Sequence, residues 1–291
     1  MLKIKFFILS LFLALYSNAQ MQPLKISPSN RYFITADGKP FFWLGDTGWL
    51  LFLKCTREEA VEYLDTRKAQ GFNVIQVMLL HDLREDKNIY GDSLFIDQHV
   101  STPKITEGSN FLSGEEYDYW DHVEYIVDEA AKRNIYMALV PVWGSVVKSK
   151  LVNEEQAVAY ALFLSERFKN KPNIVWLNGG DLKGNIEMNV WNALGKTLHE
   201  KDPDHLISFH PRGRHTSSLW FHKQDWLAFN MFQSGHKDYE QDTTASDIFH
   251  FGEDNWRYIN NDYTLDPVKP TMDAEPSYEN IPHGLHDSMQ P

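Results

Sequence analysis

The sequence predicts an α/β fold, a (β/α) barrel, and three observations carry that prediction. From residue 41 onward, short β-rich apolar runs alternate with longer stretches of helical periodicity, the texture of successive βαβ units. The apolar runs are continuous rather than strictly alternating, as strands covered on both faces are. No Gly-x-Gly-x-x-Gly or P-loop pattern follows an early run, which disfavours a doubly wound nucleotide-binding sheet.

The strands are expected at Phe41–Asp46, Phe72–Leu80, Tyr136–Trp143, Ile174–Asn178, Leu206–His210, Trp226–Phe232 and Pro270–Asp273. Between the first two, Thr56-Arg57-Glu58-Glu59 has the form of a capping box and opens a helix ending near Gly71. Glu115–Arg133 carries an apolar stripe of Trp120, Val123, Ile126, Val127 and Ala130. Helices at Glu154–Phe168, Val190–Glu200 and Ile248–Ile259 follow, with only a short helical turn expected in Leu219–Asp225. Seven strands at a mean step of about 38 residues would place an eighth near residue 307. The sequence ends at Pro291, so the barrel is expected to stop one unit short, after its seventh strand.

The composition narrows the class further. In 291 residues, 28 basic side chains face 40 acidic ones, a net charge of -12, and 43% of residues are hydrophobic. That is enough for a large core, while the acidic balance disfavours nucleic acid as a partner. The 9 Trp, 13 Tyr and 18 Phe also suit a cleft that stacks on sugars. Residues 1–19 have the form of a signal peptide: Lys3 and Lys5, an apolar run from Phe6 to Tyr16, then Ser17-Asn18-Ala19. The run is too short to span a membrane, which takes roughly 20 residues, and no membrane span is expected elsewhere. Residues 20–291 are then one exported barrel domain, periplasmic or secreted, and Cys55, the sole cysteine, permits no internal disulfide.

Catalytic groups of a (β/α) barrel stand at the C-terminal ends of its strands. Read there, the chain offers Asp46, Trp143, Asn178 with Gly179-Gly180-Asp181, His210 with Arg212, Gln233 with His236, and Glu275. Asp181 and Glu275 are the notable pair, because glycoside hydrolysis needs one protonated and one ionised carboxyl at the scissile bond. The fourth and seventh strands face each other across a barrel mouth, which predicts carboxyls about 5 Å apart, the spacing of a retaining mechanism. Alternatively, Asp181 caps a helix and Glu275 is a loop acid. Asp46 either binds a sugar hydroxyl or caps the first helix, and Trp143 is either a stacking platform or core. His210 and Arg212 suit a substrate carboxylate, and Gln233 and His236 suit the sugar near the cleaved bond. The 34-residue connection from His81 to Gly114 is long enough to shape the mouth.

Other chemistries fit poorly. There is no His-x-His at the first strand end and no His-Glu-x-x-His, so no metal and no other cofactor is expected. His283 and His286 in the tail make the nearest histidine cluster. The Gly-x-Ser-x-Gly elbow of a serine hydrolase is also missing.

Six separated motifs occur in order: Pro40-Phe41-Phe42-Trp43-Leu44-Gly45-Asp46-Thr47, Gly71-Phe72-Asn73-Val74-Ile75-Gln76, Lys171-Pro172-Asn173-Ile174-Val175-Trp176 with Gly179-Gly180-Asp181, Phe209-His210-Pro211-Arg212-Gly213, Phe229-Asn230-Met231-Phe232-Gln233-Ser234-Gly235-His236, and Glu275-Pro276. Together they resemble the apiosidase-like glycoside hydrolases, glycoside hydrolase family 140. The resemblance implies a (β/α)8 TIM barrel of the retaining glycosidase type, acting on pectin side chains and notably on apiose linked to galacturonate. It also implies that Asp181 is the acid/base and Glu275 the nucleophile. Family members continue through an eighth strand and usually a C-terminal β-sandwich, and neither is expected here. The alternatives are a non-catalytic glycan-binding barrel fragment and a related glycosidase of different sugar specificity.

Overall fold

The computed structural model describes residues 21–85, 87–236 and 255–278. The signal segment expected at 1–19, residues 248–254 of the helix expected at Ile248–Ile259, and His283 and His286 lie outside the described residues.

Three short antiparallel strands come first: β1 (Lys25–Ile26), β2 (Phe33–Ile34) and β3 (Pro40–Phe41). The parallel strands then run in order: β4 (Gly45–Thr47), β5 (Val74–Met78), β6 (Tyr136–Val140), β7 (Ile174–Leu182) and β8 (Ile207–Pro211) form one five-stranded sheet. A parallel pair follows, β9 (Asn230–Phe232) with β10 (Thr271–Asp273). The Ala228 amide donates to the Ile207 carbonyl at 2.8 Å and the Ser208 hydroxyl to the Phe229 carbonyl at 2.6 Å, which seats β9 beside β8. Seven parallel strands thus follow one another in chain order, as the sequence predicts.

Helices cover the outer face: α1 (Leu51–Lys54), α2 (Arg57–Ala69), α3 (Tyr119–Lys132), α4 (Gly144–Lys148), α5 (Glu154–Phe168), α6 (Met188–Lys201), α7 (Ser218–Phe221) and α8 (Asn255–Tyr263). The capping box is present as expected: the Thr56 hydroxyl accepts the Glu59 amide at 3.2 Å, and Glu59 accepts the Thr56 amide at 2.8 Å. α3 starts at Tyr119 rather than at the expected Glu115, because Asp118 caps it by accepting the amides of Trp120 and Asp121. No helix among the described residues is long and apolar enough to cross a membrane.

Strand alternation sorts the side chains into two cores. On β7, Ile174 and Trp176 face the helix layer, while Val175 and Leu177 face the barrel interior. Asp202 accepts the Trp176 indole N–H at 2.7 Å and pairs with His205 Nδ1 at 2.8 Å, fixing the entry of β7. The interior core joins Val74, Met78, Ala138, Val140, Phe229 and Met231 to Leu24 and Phe33 of the N-terminal segment. Phe33 packs edge-on against Phe229, with centroids 4.9 Å apart, so the small antiparallel sheet closes the end of the barrel away from the strand tips.

The first expected strand is divided. Phe41 belongs to the antiparallel sheet, and the parallel ladder starts only at Gly45. Between them the Asn73 side chain takes over the backbone bonding, donating to the Phe42 carbonyl at 2.8 Å and accepting the Leu44 amide at 2.9 Å. Phe42 is consequently 79% exposed rather than core. β9 is also shorter than expected, since Leu227 turns back to bond the Gln224 carbonyl.

Candidate active site

The backbone at the end of β7 leaves the extended conformation over three residues: Gly179, Gly180 and Asp181 have φ of 97°, 103° and 52°. The ladder to β8 breaks its register between Gly179 and Leu182, a bulge that turns Asp181 outward at the mouth. No side chain fits at either glycine. A Cβ on Gly179 would lie 2.4 Å from the His210 carbonyl oxygen, and one on Gly180 would lie 2.3 Å from the Trp143 ring. Gly180→Ala is therefore expected to cost at least about 2 kcal/mol and to lower activity by displacing Trp143 or Asp181. Thermal melting and initial rates measure both.

Glu275 follows β10 and is 4% exposed. Gln233 donates its amide to Glu275 Oε2 at 2.6 Å, and the Tyr278 hydroxyl donates to Oε1. His236 Nε2 stands 3.3 Å from Oε1, and His210 Nε2 stands 3.4 Å from Oε2. The Trp49 indole N–H donates to the Tyr278 oxygen at 3.1 Å, which commits the tyrosine's own proton to Glu275. Trp49 also lies 5.2 Å from Trp143 and stands edge-on to His210 at 5.4 Å, so the three rings wall one side of the cluster.

Atoms of Asp181, His210 and Glu275 lie within 4.8 Å of one another. The two carboxyls are held in opposite protonation tendencies. Asp181 keeps an exposed edge at the mouth, yet its partial enclosure there raises its pKa; His210 opposes the rise and the Glu275 charge adds to it. Burial also works to raise Glu275, but the bond to His236, the His210 charge and the Tyr278 bond outweigh it and hold the carboxylate below its ordinary range. Burial disfavours charge on His236, yet the facing Glu275 lifts that histidine above the usual value. Carboxylates and an imidazole at this spacing are donor types a divalent cation accepts. Here both Glu275 oxygens already accept protein hydrogen bonds, from Gln233 and Tyr278.

A cavity of roughly 410 Å³ opens beside Asp181, lined by Trp143, Lys148, Asp181, Lys183 and Arg212 among others. The structure thus gathers Asp181, Glu275, Trp143, His210, Arg212, Gln233 and His236 at one mouth. Two predicted residues are directed elsewhere. Asp46 accepts the Tyr63 hydroxyl at 2.6 Å and pairs with Arg67, both on α2, and it caps no helix, since α1 and α2 begin after Leu50 and Thr56. Asn178 shares the outward parity of Trp176 and donates to the Trp191 carbonyl on α6 at 3.2 Å. The connection from His81 to Gly114 is anchored outward, with Thr106 bonded to Asp118 at 2.7 Å and His99 meeting Gln156 at 3.2 Å. Tyr278, Trp49 and the two cavity lysines were not singled out by sequence. The signal available for Tyr278 is its position three residues after Glu275.

Residues 27–291 match the family model described as Apiosidase-like, catalytic domain. The chain belongs to the apiosidase-like family. A glycoside hydrolase family 5 protein from Bacteroides vulgatus is similar at 41% identity and a TM-score of 0.82, covering 92% of this chain and 57% of its own. Another solved glycoside hydrolase is similar at 43% identity and a TM-score of 0.80, over 93% of this chain and 60% of that one. The apiosidase-like chain therefore spans less than two thirds of either relative. An endo-1,4-β-D-mannanase from Thermotoga petrophila shares the fold alone, at 12% identity and a TM-score of 0.50, with 67% of this chain and 68% of that one covered. Comparison with curated proteins gives no match.

Proposed function

We propose that the chain is a retaining glycoside hydrolase of pectin side chains that releases apiose from galacturonate, exported to the periplasm or beyond by its first nineteen residues. The observation that supports this reading best is the pair of converging carboxyls with opposed protonation, Asp181 raised and Glu275 lowered, within 4.8 Å. Glu275 attacks the anomeric carbon as the bond to the leaving oxygen breaks, and Asp181 gives that oxygen its proton. A glycosyl ester on Glu275 results. Asp181, now a carboxylate, takes a proton from water as the water attacks the same carbon and frees Glu275. Two inversions retain the configuration.

The cavity supports the uronate half of the reading. In a chain of net charge -12, Lys148, Lys183 and Arg212 come together beside Asp181, the side on which a leaving group must sit. Arg and Lys there suit a sugar carboxylate. Pectin side-chain fragments carrying apiose on galacturonate test the reading. Proton NMR in the first minutes is expected to show free apiose of retained anomeric configuration. Inversion, or release of another sugar while apiose stays attached, would overturn it.

A further inference from the structure

Asp273 ends β10 opposite Phe232 and is enclosed between the loop after β9 and the loop after β10. Its carboxylate gathers three donors from those two loops. Oδ1 accepts the amide of Ser234 at 3.4 Å and the amide of Glu275 at 3.2 Å, and Oδ2 accepts the Ser234 hydroxyl. The Gly235 amide adds a second tie, to the Glu275 carbonyl at 2.9 Å. The loops meet so closely there that a Cβ on Gly235 would lie 2.3 Å from the Pro276 carbonyl oxygen.

Ser234 and Gly235 lie between Gln233 and His236, the two side chains of this loop that reach the Glu275 carboxylate. Tying the intervening backbone to β10 sets where both side chains meet the acid. Burial pushes the Asp273 pKa up to about 6, against the hydrogen bonds of Ser234 and the Glu275 amide, so an enclosed acid is retained here at some cost. A neutral side chain would close the two loops without that cost but would supply fewer acceptors.

We propose that Asp273 is a positioning residue of the reaction, clasping the loop of residues 233–236 to that of residues 274–278 so that Gln233 and His236 hold Glu275 in attacking geometry. The inference rests on Glu275 being the nucleophile. Rates depend steeply on such placement, and a shift near 1 Å costs roughly a hundredfold.

The test compares Asp273→Ala, Asp273→Asn and Ser234→Ala in the full chain, with Glu275→Gln alongside. Asp273→Ala is expected to lower kcat about a hundredfold and Ser234→Ala about tenfold, with KM within about threefold of wild type. Asp273→Asn keeps one acceptor for the backbone amides and is expected to fall between Asp273→Ala and wild type. Crystal structures give a readout independent of turnover: the Gln233–Glu275 contact should open in Asp273→Ala. If that variant does not fold, Ser234→Ala carries the same test by removing one hydroxyl. Unchanged kcat and an unchanged Gln233–Glu275 contact would overturn the clasp. Full activity of Glu275→Gln would instead overturn the nucleophile on which the clasp rests.

Discussion

Glu275→Gln is expected to lower kcat by on the order of 10⁴-fold or more, with the fold and glycan binding kept. The amide oxygen is a poor nucleophile, so the glycosyl ester cannot form at a useful rate. Its surroundings are also built for an anion. Gln233 and Tyr278 each donate to a carboxylate oxygen, and an amide at this position turns one of those contacts into two facing donors. Initial rates on apiose–galacturonate fragments measure the loss, and calorimetry on the same fragments measures retained binding. Hydrolysis within tenfold of wild type would remove Glu275 from the mechanism.

Asp181→Asn is the second large effect, about 10²- to 10⁴-fold in kcat, the range for losing one general acid. Its signature is the pH profile. In the proposed mechanism Glu275 must be ionised, and its depressed pKa puts the acid limb below the ordinary glutamate range. Asp181 must be protonated for the first step, and its raised pKa puts the alkaline limb above the ordinary aspartate range. Activity therefore rises as pH climbs through Glu275, falls as it climbs through Asp181, and peaks between them. Asp181→Asn is expected to erase the alkaline limb and leave the acid limb in place. A limb surviving in that variant would assign the proton to another group.

Most of the strand order was legible because apolar runs buried on both faces leave a continuous signal. Reading the ends of those runs also found Asp181, Glu275, His210, Gln233 and His236. What could not be read was parity. Asn178 and Asp46 stand at strand ends as required, but their side chains point to α6 and α2, and a one-residue step decides which face a side chain takes. Asp181 escapes that constraint through three residues of positive φ, which the paired glycines hint at but do not specify. Tyr278 and Asp273 touch Glu275 from its own segment, whereas Trp49 reaches Tyr278 from another strand end, a contact that arises only when separate strand ends converge. The division of the first strand was equally hidden, since it depends on Asn73 reaching back to Phe42 and Leu44.

In the proposed mechanism Glu275 becomes covalently attached to the sugar while Asp181 handles the proton. A 2-deoxy-2-fluoro glycoside with an activated leaving group tests it by slowing release of the ester so that it accumulates. Peptide mapping by mass spectrometry is predicted to find one sugar per chain, on the peptide holding Glu275. Label on Asp181, or inactivation-free turnover with inverted product, would overturn the double displacement at Glu275.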